Sequence, residues 1–385
     1  GSGKTETMSQ RVLFLVANSI ITPDQLLGLT FTRKAAGDLA KRIKYRLRQL
    51  KSANLLPDHL DESELTVSTY HSYAGRVLAD HAIRIGIDAD SDPIGEAAAW
   101  QIAFEEVSRF TGNDLQINGS VNSVVDEVMD LSTAIAENDR SADEIIDYTQ
   151  RLLSQIDQYT DRQTNPVHEF KEELKQRLSI LPIVAAFDHR RKTQGLLTFN
   201  DHMSLAAKLV SESVKNYSDD IASLERDKYK VVLLDEYQDT SQSQVRMLSA
   251  LYGNFVAETG HPVMAVGDPS QAIYTWRGAS AGTMASFHKY FPKAQGQSGT
   301  EQFSLPTTFR NDAIILAAAN AISAQIKADG GQQVVELEAR NGAGAGELAY
   351  GIYETVETES QAIAEYFKEL WNPADNKSFA VLVRK

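Results

Sequence analysis

The chain has no cysteine, so disulfides and thiolate metal sites are excluded; that usage is compatible with the cytoplasm, the expected compartment. No apolar run reaches the roughly 18–20 residues needed to cross a bilayer, so no helical span and no membrane partner are expected. Internal repeats and low-complexity tracts are missing, which excludes solenoid and fibrous architectures. Net positive charge is missing as well. At a formal −14 the chain reads, on the sum alone, against nucleic-acid binding, but such binding depends on local patches.

One such patch is present. TRKAAGDLAKRIKYRLRQLK (32–51) carries Arg33, Lys34, Lys41, Arg42, Lys44, Arg46, Arg48 and Lys51 against a lone Asp38. A solvated helix face is the plain reading of such a helix in isolation. With 42% apolar and 23% charged residues the composition is that of a globular protein, and 385 residues suggest two or three domains.

Strand and helix patterns alternate, predicting an α/β domain with a mostly parallel sheet. A helix runs from Lys4 to about Asn18, and strands are expected at LLGLTF (26–31), LTVST (65–69), KVVLLDE (230–236) and HPVMAVGD (261–268). The strands deliver polar or acidic residues at their C-terminal ends, where open α/β sheets place ligands. From about 88 to 195 every segment has helical spacing, with Ser141 and Pro166 as start signals, which predicts an all-helical insertion. From about 300 strands and helices resume, through ELAYGIYE (347–354), TESQAIAEYFKELW (358–371) and SFAVLVRK (378–385), with the Gly-rich NGAGAGE (341–347) before them. The expected boundaries are 1–87 with 196–300 for the first domain, 88–195 for the insertion and 301–385 for part of another domain.

Three segments carry chemistry. GSGKTETM (1–8) has the form of the back half of a phosphate-binding loop opening a helix, or of a linker remnant. VVLLDEYQDTSQSQ (231–244) puts two carboxylates at the tip of a buried strand. Asp235 there suits Mg²⁺, which prefers oxygen ligands, and Glu236 suits a base that orients and deprotonates water. Equally, the pair can serve only to cap a helix near Thr240 or Ser241. AVGDPSQAIYTWRGAS (265–280) places Gln271 three residues before Tyr274, then Trp276 and Arg277. Aromatic faces beside a cation suit single-stranded bases. Alone, the same triplet is a packed aromatic pair with a surface arginine, although Gly267, Pro269 and Gly278 favour turns.

Taken in order, these segments resemble the superfamily 1 DNA helicases of the UvrD/Rep/PcrA type, with RecB-like enzymes as relatives. TFTRKAA (30–36), STYHSY (68–73), TFNDH (198–202), DEYQDT (235–240), GDPSQAIYTWRGA (267–279), LPTTFRN (305–311) and FAVLVRK (379–385) are each similar to a segment of that family. The resemblance implies a RecA-like P-loop NTPase motor domain with an all-helical insertion, plus part of a second RecA-like domain. It also implies an ATP-dependent helicase or translocase, moving 3′→5′ on single-stranded DNA in repair or recombination, that uses ATP and Mg²⁺. Single-stranded DNA and 3′-tailed duplex DNA are the implied partners. A non-translocating, DNA-clamping subunit of a helicase-nuclease complex is the alternative.

By resemblance, Lys4, Asp235, Glu236, Gln271 and Arg310 are catalytic, with Thr5 and Asp235 at the metal. Gly1, Ser2, Gly3, Lys4, Thr5, Glu6, Arg33 and Phe309 contact nucleotide. Phe309 stands where the family has an adenine-stacking Tyr, and Arg33 where it often has Asn, which leaves the contact of Arg33 open. Phe31, Thr32, Tyr70, His71, Tyr274, Trp276 and Arg277 line the DNA track. His71 alone would more often be a structural histidine. The strand and glycine ahead of the phosphate loop, and the late motifs, are not in the sequence, so the chain is expected to be the N-terminal portion of a longer protein and weak or inactive alone as an ATPase.

Overall fold

In the computed structural model the described residues are 1–56, 65–85, 94–112, 120–138, 140–158, 165–215, 220–253, 260–274, 279, 282–293, 300–328, 335–374 and 378–383; the side chains of 82, 85, 199, 200, 212–215 and 220 are not among them. The chain forms two compact units, one of residues 3–305 with 326–335, the other of 1–2, 306–325 and 336–385.

The larger unit begins with α1 (Lys4–Ala17), β1 (Leu26–Thr30), α2 (Arg33–Ser52), β2 (Thr66–Thr69) and α3 (Tyr70–His81). Four helices follow: α4 (Glu96–Arg109), α5 (Val121–Asn138), α6 (Ala142–Gln158) and α7 (Asn165–Thr193). Then come α8 (Phe199–Lys215), α9 (Asp220–Lys228), β3 (Val231–Leu234), α10 (Gln242–Tyr252), β4 (Val263–Ala265), α11 (Gly282–Ala285) and α12 (Phe287–Tyr290). The four strands form one parallel sheet in the order β2-β1-β3-β4.

Successive residues of a strand face opposite sides, and both sides here are covered. Leu27 and Leu29 of β1 and Val232 and Leu234 of β3 pack with α3, α8, α9 and α10. Leu26, Val231 and Leu233 point the other way, into a core with Met8, Val12 and Val16 of α1 and Leu39, Ile43 and Leu47 of α2. The sheet is therefore a middle layer, and its strand ends are the places left for chemistry. A separate apolar cluster joins α4, α5 and α7 through Ala103, Val125, Val128, Ile183, Val184 and Phe187. Ser141 starts α6 as the sequence predicts: the Glu144 amide donates to its hydroxyl at 3.2 Å and its own amide donates to Glu144 at 2.9 Å, a reciprocal cap. Helix α7 runs unbroken through Pro182, at a cost of about 3 kcal/mol that the burial of its neighbours Ile180, Leu181, Ile183 and Val184 offsets.

Where α7 meets α8 the polar chemistry is inside. Arg191, 2% exposed, donates to Asp201 and, at 2.6 Å, to Asp188, which also accepts from Ser132 of α5 at 2.7 Å. The Thr198 amide and hydroxyl donate to Asp201 at 2.8 and 2.7 Å. Burial pushes the Asp201 carboxyl up, but the bonds from Arg191 and Thr198 together hold it below the usual carboxylate range. The similarity of TFNDH to a helicase segment thus falls on a buried structural joint.

The smaller unit holds β5 (Thr307–Thr308), α13 (Ala313–Ala328), β6 (Glu338–Ala339) and α14 (Val356–Leu370), although the last turn of α13 groups with the larger unit. Strands β5 and β6 are parallel. The Asn320 side chain donates to the Leu337 carbonyl at 2.9 Å and accepts from its amide at 3.0 Å. The expected strands at 347–354 and 378–385 are corrected: no strand is assigned in either among the described residues, and Tyr350, Ile352 and Leu382 are exposed. Apolar alternation supplies a strand's two faces but not the neighbour whose backbone completes it.

Candidate functional site

Three strands of the sheet bring their C-terminal ends together. The Asp235 amide donates to the Leu29 carbonyl of β1 at 2.8 Å, and the Tyr237 amide donates to the Val266 carbonyl beyond β4 at 3.0 Å. The segments TFTRKAA, DEYQDT and GDPSQAIY therefore leave the sheet side by side. Gly3 precedes α1 with φ at +87°, a left-handed conformation that glycine adopts without strain, and supplies no side-chain cap. A helix start without a side-chain cap presents its first amides, and the positive end of its dipole, to an anion.

Lys4, the first residue of α1, donates to Glu236 at 2.9 Å, so the loop lysine and the second carboxylate meet across 232 positions of sequence. Glu236 has φ at +47°, a costly conformation for a non-glycine residue and one found at functional turns. Burial pushes its carboxyl up, but hydrogen bonds from Gln238 and Lys4 together outweigh that and hold it below the usual range. Asp235 is treated differently by the same turn. It is 5% exposed, and burial, aided by the charge of Glu236, pushes its carboxyl up to about 6. A buried carboxylate whose charged form is penalised by burial and by the neighbouring Glu236 suits an added cation, and Mg²⁺ prefers oxygen donors of this kind. Among the described residues no group of three or more His, Cys, Asp or Glu side chains forms a metal cluster. Helix α10 is capped by Ser241, whose hydroxyl accepts from the Gln244 amide at 3.4 Å, so the Asp-Glu pair is not its cap.

Glu6 faces α2: it accepts from Gln10 at 2.8 Å and pairs with Arg46 and Arg42 at 3.1 and 3.4 Å. The bond from Gln10 and the two arginines hold its carboxyl below the usual range. At the start of α2 the Thr32 hydroxyl accepts from the Ala35 amide at 3.1 Å, an N-cap. Arg33 and Lys34 follow it, exposed, in the first turn. Cations at a helix N-terminus add to the positive dipole end, an arrangement that stabilises a bound phosphate and not the isolated helix.

Phe31 and Tyr274, expected on one track, come together: their rings stack at 4.4 Å with 29° between planes. His71 is half-buried at the start of α3. Tyr70 is corrected. It is 1% exposed, sits in the core and donates its hydroxyl to the Asp235 carbonyl at 3.0 Å, so it supports the carboxylate turn from beneath and offers no face to a base. Gln271 is exposed, and its amide is bonded to Asp268 of its own turn. Trp276 and Arg277 lie outside the described residues.

In the smaller unit Phe309 is 63% exposed and Arg310 is exposed as well. The Phe309 amide donates to the Gly1 carbonyl at 3.0 Å, and Ser2 belongs to the same unit. Sequence reasoning passed over Gln238 and Asp239, quoted within DEYQDT without a role; both are buried between the carboxylates and the turn of Asp268. The available signal was their place in the most specific motif of the chain.

The model of the UvrD/REP helicase N-terminal domain family matches residues 1–292. ATP-dependent DNA helicase UvrD1 of Mycobacterium leprae is 24% identical over 338 residues, covering 84% of this chain and 36% of that protein. ATP-dependent DNA helicase PcrA of Leuconostoc citreum is 26% identical over 322 residues, again covering 84% and 36%. UvrD1 of Mycobacterium tuberculosis is 26% identical over 377 residues, covering 95% of this chain and 41% of its own length. The chain thus spans well under half of the relatives it matches.

Proposed function

This chain belongs to the UvrD/REP helicase N-terminal domain family, and from that premise we propose that it binds ATP and single-stranded DNA as the motor portion of an ATP-dependent DNA helicase. The relatives named above are called ATP-dependent DNA helicases. The observation that carries the reading is the Lys4–Glu236 pair at 2.9 Å, at the C-terminal edge of a parallel sheet and behind a glycine-led helix start.

In the proposed chemistry the first amides of α1 and the Lys4 ammonium hold the β- and γ-phosphates. Lys4 leaves Glu236 for the phosphate, which frees that carboxylate to orient water and accept its proton. Thr5 and Asp235 would hold Mg²⁺, which when bound offsets phosphate charge. Gln271 reads the terminal phosphate, Phe309 stacks on adenine and Arg310 contacts the γ-phosphate, on the resemblance of their motifs. Phe31 and Tyr274 offer stacking faces to bases; Thr32, His71, Trp276 and Arg277 contact the strand and Arg33 takes a phosphate, on the resemblance of their motifs. A RecA-like motor domain interrupted by a helical insertion, followed by part of a second RecA-like domain, with 3′→5′ movement on tailed duplex in repair or recombination, completes the proposal.

Two measurements test it. Lys4→Ala is expected to weaken Mg·ATP binding about 10- to 100-fold, the value of a charge-assisted hydrogen bond at ~1.5–3 kcal/mol; unchanged affinity in calorimetry sinks the phosphate site. Tyr274→Ala is expected to lose ~1–3 kcal/mol of single-strand affinity, read by anisotropy of a labelled oligonucleotide, with little change in nucleotide binding. Equal losses for both ligands would make Tyr274 a packing residue only.

A further inference from the structure

Between the carboxylates and the DNA-facing turn stands one buried amide. Gln238 is 1% exposed, and its Nε2 donates to Glu236 at 2.9 Å and to Asp239 at 3.1 Å. Its Oε1 accepts from the Asp268 amide at 3.0 Å. Asp239 in turn accepts from the Ile273 amide at 3.2 Å, one residue before Tyr274. Both ends of the turn 268–273 are therefore bonded to the segment that follows the carboxylates. A Cβ on Gly267 would fall 2.5 Å from the Gln238 oxygen, so the backbone approaches this amide as closely as glycine permits.

The same Glu236 oxygen, Oε2, accepts from both Lys4 and Gln238. We propose that Gln238 is a positioning residue that passes the state of Glu236 to the turn of Tyr274, and so links nucleotide binding to single-strand grip. An anion that draws Lys4 away leaves Gln238 as a donor to an uncompensated carboxylate, which shortens one of its bonds at the expense of the others. A buried amide with both ends bonded cannot shift toward Glu236 without moving the Asp268 amide or the Asp239 carboxylate. Ile273 and Tyr274 follow Asp239, and the Tyr274 ring slides on Phe31. Gln271, bonded to Asp268 inside the turn, rides with it.

The inference rests on the proposed function, and the experiment separates the two. Single-strand affinity of the whole chain is measured with a labelled oligo-dT, with and without Mg²⁺ and a non-hydrolysable ATP analogue, and the ratio of the two affinities is the readout. In the wild type the ratio is expected to differ from one by about 5-fold or more, the usual range of site-to-site coupling. Gln238→Ala brings it within twofold of one. Gln238→Glu, which keeps the oxygen facing Asp268 and loses the donor to Glu236, does the same. Asp239→Asn, whose Oδ1 still accepts from Ile273 but whose amide nitrogen cannot accept from Gln238, is expected to lower the ratio toward one as well. A residue that merely supports the fold would lower melting temperature and leave the ratio in place, so a retained ratio in both Gln238 variants overturns the inference. Should Gln238→Ala fail to fold, Gln238→Met carries the same test at similar volume. Wild type that binds both ligands with a ratio of one overturns this inference alone; wild type that binds neither overturns the function and the inference with it.

Discussion

Arg191→Ala is expected to destabilise the larger unit by ~3–5 kcal/mol, because it leaves two carboxylates without the cation that offsets their burial. Asp201 is 5% exposed and Arg191 is 2% exposed, and the guanidinium also lies 4.5 Å from the Phe187 ring centroid. The fork geometry matters: one nitrogen serves Asp201 on α8 and the other Asp188 on α7, which Ser132 of α5 also reaches. A lysine presents one point charge and cannot make both bonds, so Arg191→Lys should recover only part of the loss. Replacing one pair with apolar side chains, Arg191→Met with Asp201→Leu, is expected to recover only part of the loss, because Asp188 and the two Thr198 donors still lose a partner. Urea unfolding followed by circular dichroism reads the difference. A loss under about 1 kcal/mol in Arg191→Ala would show that water already reaches this joint.

Between pH 6.5 and about 4 the fold is expected to lose ~3 kcal/mol through His261 alone. Burial, with the nearby Arg226 cation, lowers its pKa from 6.5 to about 4. Its Nε2 is sealed and finds no hydrogen-bond partner among the described residues, and its ring lies 5.1 Å from that of Tyr252. A histidine kept neutral by the fold contributes stability that is complete above 6.5 and is lost as pH falls through the folded value. Asp235 works in the opposite direction: with a folded value near 6 above an ordinary 3.8, its contribution is fully present below 3.8 and is lost as pH rises through about 6. Wild type alone would mix the two, so the comparison is with His261→Phe. Its urea midpoint should fall less than that of wild type across this window, and parallel curves would show that the imidazole already reaches solvent.

The site was legible where its chemistry is local. Lys4 behind GSG, and Asp235 and Glu236 at the tip of VVLL, are fixed by strand-end and helix-start signals within a few residues. Tyr70 was misassigned although the means to place it were present. Tyr70, Tyr73, Ala74, Val77 and Leu78 recur at helical spacing and all are buried, so this stripe marks the inner face of α3 and leaves His71 off it. Thr32 shows the opposite difficulty, since a helix cap and a contact for a phosphate ask for the same hydroxyl at the same position. Gln238 was not legible at all as a bridge. Its two neighbours, Glu236 and Asp268, lie on segments that only the adjacency of β3 and β4 brings together.

The order of elements, the glycine-led helix start and the placing of carboxylates at a strand tip were determined by the sequence itself, because periodicity and turn chemistry act over a few residues. Which polar groups face one another was decided only by the tertiary structure. Lys4 meets Glu236 and Gln238 meets Asp268 because sheet order and register set those approaches, and Arg191 joins three helices because their packing does. A hydrogen bond between separate segments depends on distances that no single segment encodes.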